Sequence, residues 1–385
     1  SYSIENESKV WTSKSITENT NRLDFPARII YSNPRVYQSD VEGFNEFEAL
    51  SFYDLQEEYG GITKLTKLAN DNVYSIQDSG VSVLPINKNV IEDGAGEQII
   101  INSSTLINTP QYLLNENGSQ HIRSVVTSES HIFFMDAVKR EVFKIGGGND
   151  SKVSDLGLYS QFLGDLTSST FIPDDHVVSG YDFNNNEYWI GINKFTDTEY
   201  VDGVPSALNI PTFLNVWSDK INAWTTELSL DSNTEIKNFV FSRSNNYIFG
   251  KKADNSYVIE EMYTGATTGQ VLGEVNASSF TFIVNPEVVQ GKTFDVVRID
   301  STERVDNLIM FIDKEDGTSV QISTMDANVS PRHDGYEFPI LRDSAGGRLR
   351  GKLAQCQIIM NNGDARTIDI ASVTTKFRLS GRIFR

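Results

Sequence analysis

Apolar and polar positions along this chain alternate in short bursts rather than in helical steps. Four of the bursts recur: Asn72-Val-Tyr-Ser-Ile76, His131-Ile-Phe-Phe-Met135, Glu187-Tyr-Trp-Ile-Gly191 and Asn246-Tyr-Ile-Phe-Gly250. Their second positions, Val73, Ile132, Tyr188 and Tyr247, lie 59, 56 and 59 residues apart. β-branched and aromatic residues fill the bursts, while Asx, Ser and Gly hold the corners, as hairpins require. A fixed period built from strands alone is the trace of stacked or radially arranged β units. A propeller blade is one four-stranded antiparallel sheet. The pattern therefore predicts an all-β chain opening with a β-propeller. Its four visible repeats form either a whole disc or part of a larger one.

The strands of the first repeat are expected at Ile62–Leu68, Val73–Ile76 and Val81–Ile86, and those of the second at Ile122–Thr127, Ile132–Met135 and Glu141–Ile145. The third takes Val177–Phe183, Tyr188–Ile192, Phe213–Trp217 and Trp224–Leu230. The fourth takes Ile236–Phe241, Tyr247–Phe249 and Tyr257–Met262. The long insertion Asn193–Pro211 in the third repeat is a candidate contact loop, because loops tolerate length changes and carry specificity. Residues 1–22 are polar and read as an extended arm, or as a strand lent to a neighbour. Asn45–Tyr59 is the one helix-like stretch, and its apolar spacing is only partly helical. Gly265–Gly273 reads as a flexible linker, after which the period vanishes. Phe280–Val284, Phe294–Ile299, Asn307–Asp313, Ser319–Ser323, Leu353–Met360 and Thr367–Phe377 read as further strands. The expected organisation is an arm (1–22), a propeller (23–265) and a smaller β-sandwich-like domain (270–385).

Charge changes the picture more than composition does. The chain of 385 residues carries a net charge of −19. Its last 46 residues hold nine bases against three acids, so they are +6 and leave −25 for the rest. The acidic body repels nucleic acid and anionic membrane on average. A basic segment on an acidic body points to complementarity between subunits. Arg348, Arg350 and Lys352 are the candidate interface residues. They also suit DNA phosphates, but no aromatic platform is interleaved with them, and protein contact is the better reading. No apolar run of about 18 residues exists, so no membrane insertion through a helix is expected. The single cysteine, Cys356, lies in an alternating strand and reads as a small packing residue.

Catalytic chemistry finds no foothold in the sequence. Four histidines, His121, His131, His176 and His333, have neither His nor Cys at metal-ligand spacing, so no metal and no cofactor is expected. Asp182-Phe-Asn-Asn-Asn186 begins like a calcium loop. It lacks the glycine at the sixth position and the acid at the twelfth, and reads as a hairpin corner. Asp313-Lys-Glu-Asp-Gly317 is an ordinary turn. Gly146-Gly-Gly148 precedes no Lys-Ser/Thr and opens no helix, which argues against a phosphate cradle. Glu260-Glu261 and Asp174-Asp175 are pairs any acidic chain would contain. Trp189, Trp217 and Trp224 lie on strands of one repeat, where core packing explains them better than sugar stacking.

Several strings carry a family resemblance. They are Leu23-Asp-Phe-Pro-Ala-Arg-Ile-Ile-Tyr-Ser-Asn33, Phe52-Tyr-Asp-Leu-Gln-Glu-Glu-Tyr-Gly-Gly-Ile62 with Thr63-Lys-Leu, Phe133-Phe-Met-Asp-Ala-Val-Lys-Arg-Glu-Val-Phe143, Trp217-Ser-Asp-Lys-Ile-Asn-Ala-Trp224 and Arg348-Leu-Arg-Gly-Lys352. Together they resemble the tail stabilization, tail-hub or muzzle protein of crAss-like bacteriophages. The resemblance implies a non-enzymatic virion component of a short-tailed phage, assembled in the bacterial host cytoplasm. It implies a ring around the DNA exit channel, with partners that are further copies and other tail proteins. It carries no active-site residue and no specific nucleic-acid binding. The chain starts at Ser1 and is shorter than expected for that family, so it reads as a cleaved or partial polypeptide. The rival reading is a carbohydrate- or receptor-binding β-propeller module.

Overall fold

The computed structural model describes residues 24–33, 46–69, 72–86, 90–92, 98–100, 106–146, 150–157, 176–193, 195–201, 204–210, 212–230, 233–252, 254–262, 270–275, 278–285, 290–313, 319–323, 329–340, 342, 348, 350–360 and 368–383. Every sheet among them is antiparallel, and no α-helix occurs among them. The 1–22 arm lies outside these residues. The chain divides into two compact units, residues 1–164 and 165–385.

The first unit holds two repeat sheets. Ile62–Lys67, Val73–Gln77, Val81–Leu84 and Gln111–Leu114 form the first, in that order, and the hairpin Val90–Glu92 and Gln98–Ile100 branches from it. Val126–Thr127, Ile132–Asp136, Glu141–Ile145 and Ser151–Lys152 form the second. Each is a meander whose recurrent burst supplies the second strand, and Ile132 through Asp136 are all buried. Residues of both sheets share one core of Leu68, Tyr74, Ile76, Val81, Val125, Ile132, Phe134, Phe143 and Ile145. Polar staples join the sheets at the edge: Thr63 Oγ1 donates to the Ser119 carbonyl at 2.5 Å and Lys64 Nζ to the Val125 carbonyl at 2.6 Å. Gly118 has to be glycine, since a Cβ there would lie 2.1 Å from the Gln77 carbonyl oxygen.

Two expectations fail in this unit. Asn45–Tyr59 is not helical where it is described. Phe52–Asp54 is a strand paired with Arg28–Ile30, followed by a single 3-10 turn at Glu57–Tyr59. Leu55 turns into a small core with Ala27, Ile29, Leu84 and Ile107, and this tertiary burial outweighs the local helix propensity. The expected strand at Ile122–Thr127 starts instead with a 3-10 turn, Ile122–Ser124. The Ser124 hydroxyl donates to the His121 carbonyl and takes the backbone into the corner.

The second unit opens with the other two repeats. Val177–Asp182, Glu187–Ile192, Phe213–Ser218 and Ala223–Ser229 form the third sheet, and the insertion is itself a hairpin, Phe195–Val201 and Val204–Ile210. Glu235–Phe241, Asn246–Lys251 and Tyr257–Glu261 form the fourth, with three strands. Val178, Trp189, Val216, Ile236, Phe239 and Ile248 sit in one core between them. The Asn193 side chain acts as a stand-in ladder residue: its Nδ2 donates to the Ile236 carbonyl at 2.7 Å and its Oδ1 accepts the Ile236 N–H at 2.6 Å. Part of the expected linker is structured. Gln270–Val271 and Glu274–Val275 make a tight hairpin whose Leu272 is buried against Gly250.

After the repeats come two further sheets. One runs Ser278–Val284, Ala354–Met360, Asn307–Asp313, Ser319–Ser323. The other runs Ser330–Arg332, Gly335–Pro339, Gln290–Ser301, Arg350–Gly351, with Ile370–Ile383 also paired to Gln290–Ser301. Both contribute to one core that includes Phe294, Val297, Ile299, Leu308, Met310, Phe338 and Ile358. Alternation places these side chains on one face and the charged residues on the other.

Candidate functional site

The charged outer positions of the last sheet gather much of the basic C-terminal segment. Asp295 on Gln290–Ser301 receives two arginines: Arg378 from Ile370–Ile383, at 2.7 Å from Nε and 2.6 Å from Nη2, and Arg348 at 3.4 Å. Glu337 likewise receives Arg332 at 2.8 Å and Lys376 at 3.1 Å. Arg298 and the Ser372 hydroxyl meet on Asp300. Hydrogen bonds from Arg332 and Lys376 hold the Glu337 carboxyl below its ordinary range. Ser372, then Arg298, do the same for Asp300. The Asp295 hydrogen bond raises Arg378 in turn. Two cations on one carboxylate leave a surplus of +1, and this happens at both Asp295 and Glu337.

The three residues expected at an interface have different settings. Arg348 is half-exposed and tied to Asp295. Arg350 opens the short strand Arg350–Gly351, opposite Thr293. It is exposed and makes no ion pair among the described residues. Lys352 is exposed, and its backbone carbonyl accepts from Lys292 Nζ at 2.6 Å. Lys292 is fully buried and also donates to the Gln290 carbonyl and Asn285 Oδ1. A buried ammonium needs such oxygen partners, so it fastens the end of the basic strand to its neighbour Gln290–Ser301 in the same sheet. The acids Asp295, Asp300 and Glu337 are absent from the sequence reading. Arg332 and Arg298 lie near Glu337 and Asp300 in sequence, but the partners Lys376, Ser372 and Arg378 lie 39, 72 and 83 positions from Glu337, Asp300 and Asp295.

The other candidates settle into structural roles. Asp182 is fully buried. Its Oδ1 accepts the backbone N–H groups of Asn184 (2.9 Å) and Asn185 (3.4 Å), and its Oδ2 accepts Asn185 Nδ2 and Asn246 Nδ2. That is the expected hairpin corner, and it also ties the third sheet to the fourth. Trp217 is fully buried and meets Trp224 edge-on at 5.5 Å, and Trp189 packs on Phe239, so core packing holds for these rings. Cys356 is buried between Phe282 and Met310, and burial pushes its thiol up to about 12. No cluster of three His, Cys, Asp or Glu side chains arranged for a metal occurs among the described residues. His131 bonds Ser130 at a turn, and His333 lies beside Asp334 in the open. Gly147, Gly148, Asp174, Asp175 and the Lys314–Gly317 turn lie outside the described residues.

Residues 1–198 match the family model of the Crassvirus muzzle protein. The chain belongs to that family. Three of the five quoted strings, ending at Asn33, Leu65 and Phe143, fall within the matched half. The Trp217–Trp224 and Arg348–Lys352 strings lie beyond it. No curated protein matches the sequence. Family membership makes this a bacteriophage structural protein associated with the tail. Among the described residues no helix is long and apolar enough to cross a membrane.

Proposed function

We propose that the chain is a non-enzymatic muzzle subunit of a short-tailed phage that assembles as a ring around the DNA exit channel, with its repeat sheets as blades of a β-propeller. Membership of the muzzle family carries this reading. Two observations support it. The first and second repeat sheets share one apolar core and the third and fourth another, as neighbouring blades do. The charge is −25 outside the last 46 residues, which suits a wall along which DNA slides without adhering. The region 23–265 is then the propeller part and 270–385 a sandwich that carries the contacts with neighbouring copies and tail proteins. Catalysis plays no part in this function, and assembly takes place in the host cytoplasm.

Electron microscopy of the purified protein, with mass measurement, tests the reading. The expected result is a closed ring with a central opening. A strictly monomeric particle, in isolation and with other tail proteins, would overturn it.

A further inference from the structure

The two sheets that follow the repeats leave a seam open between their outer strands. Ile370–Ile383 has 14 residues and pairs with Gln290–Ser301 along one side. Its other side has no strand partner among the described residues. Ser278–Val284 is the outer strand of the companion sheet and pairs with Ala354–Met360 alone. Between the two strands opens a groove of about 510 Å³, with Phe280, Phe282, Ile370 and Val373 in its wall. Phe282, Ile370 and Val373 pack on the core, and Phe280 stacks on Phe282 at 5.6 Å, yet Phe280 is 49% exposed. Leu379, further along the same strand, is 51% exposed. The core thus reaches solvent beside a long edge that holds no proline. Natural sheets cover or blunt such an edge. An extended segment suits it, since backbone bonds hold the added strand and alternate side chains enter the groove.

The edge specifies what such a strand must carry. Val373 and Phe377 turn to the core, whereas Ser372, Lys376 and Arg378 reach Asp300, Glu337 and Asp295 on the charged face. Asp295 and Glu337 are each shared by two cations, so that face is in surplus by two positive charges. A fitting strand is apolar at one parity and acidic at the other. The arm at residues 1–22 contains one. Set antiparallel with Glu7 opposite Lys376, it places Glu5 opposite Arg378, Ile4 opposite Leu379 and Val10 opposite Val373. One register satisfies all four, and Lys9 falls opposite the neutral Thr374. A shift of one residue would turn both glutamates into the apolar groove. A parallel strand with Glu7 beside Lys376 would set Lys9 against Arg378, like against like.

We propose that residues 4–10 of a second copy of this chain add to the open edge of Ile370–Ile383 as an antiparallel strand. Trp11 to Leu23 then serve as a tether that reaches up to about 45 Å. Arm and edge are unlike patches, so the contact propagates head to tail and closes into a ring. This rests on the ring reading above and gives it a specific contact.

The test has two parts. Cys356 is buried and is the only cysteine, so introduced thiols report the register. One full-length chain carries Glu7→Cys and another Lys376→Cys. Mixed and oxidised, they should give a covalent dimer, because directly opposed residues lie within disulfide reach. Asn6→Cys in place of Glu7→Cys points into the groove and should lose that product. Thermal melting verifies that each variant is folded. With Glu7→Cys and Lys376→Cys in one chain, a ladder of linked chains upholds the lent strand. A link confined to single chains, or no link at all, would overturn it. In the second part particle mass is measured for Glu5→Lys with Glu7→Lys, for Lys376→Glu with Arg378→Glu, and for all four together. Each pair should reduce assembly and the four together should restore it. Rings that persist in Glu5→Lys with Glu7→Lys would overturn this contact while leaving the ring reading intact. Covalent dimers with no ring under any condition would uphold the lent strand and sink the ring. Amides of residues 373–379 that resist hydrogen exchange only after another tail protein is added would overturn the proposal and assign the edge to that protein.

Discussion

At the scale of single residues the protein depends on buried aromatic rings and on carboxylates turned inward. Phe134 is fully buried and stacks on Phe143 at 5.4 Å. Phe134→Ala is expected to lower unfolding free energy by about 3–5 kcal/mol, read by chemical denaturation. Asp136 is 2% exposed, and burial raises its carboxyl despite hydrogen bonds from the Lys139 and Gly118 backbone and from Gln120. A raised carboxyl binds its proton more tightly in the folded chain, so its contribution is greatest at low pH. That contribution falls as pH rises through the window just above the ordinary Asp range. Asp136→Asn has no such titration. The melting-temperature advantage of the natural protein over this variant should therefore shrink as pH is raised from about 4 toward neutrality. A gap that widens instead would contradict the assignment. The aromatic core was legible in the sequence because strand-length aromatic runs have nowhere else to go. The inward carboxylates were not. An aspartate that ends a strand looks like a turn residue, and the groups that make it a buried hub, such as Asn246 for Asp182, lie a full repeat away.

At the scale of elements the question is how one sheet is held to the next. Gly118→Ala would drive a methyl group against the Gln77 carbonyl, so it should cost about 1–3 kcal/mol although it adds only one carbon. Asn193→Ala removes both bonds to Ile236 and leaves that residue's N–H and C=O unanswered at a buried seam. A loss of about 1–3 kcal/mol is expected, measured by thermal or urea unfolding. The repeat sheets themselves could be read from the sequence, since alternation, corner residues and period all agreed. The strands Asn307–Asp313 and Ser319–Ser323 fall where they were expected. Reading failed where long-range burial set the backbone. Leu55 draws Asn45–Tyr59 away from helix, and Leu272 makes a hairpin of a glycine-bounded stretch. Neither event leaves a local signal, because the partners Ile29 and Gly250 lie outside the window that any periodicity covers.

At the scale of the whole molecule the sequence told more about kinship than about contacts. Short structural strings were enough to suggest the muzzle family, yet the charge excess of the last 46 residues did not reveal which bases are already answered. Changing Arg348, Arg350 and Lys352 together to Glu is expected to abolish ring or tail incorporation while the isolated fold survives. Electron microscopy and circular dichroism would check the two halves of that statement. Normal assembly of the triple variant would remove these residues from the interface.

The pairing of Gln290–Ser301 with Ile370–Ile383 has a consequence for the order in which the protein is made. Gln290 lies opposite Ile383, 93 positions later, whereas each repeat sheet pairs strands close in sequence. The repeats can fold as they leave the ribosome. The Asp295 and Glu337 clusters cannot form until translation has passed Arg378, because Arg378 and Lys376 are their last members. Until then one side of Gln290–Ser301 is an open edge, a template on which another unfinished copy can pair. A chain stopped at residue 365 should keep protease-resistant repeats, lose the protection of residues 278–360 and aggregate. Were the basic face the contact of the proposed ring, it would serve as a completion mark, acquired only when the rest of the subunit is already folded.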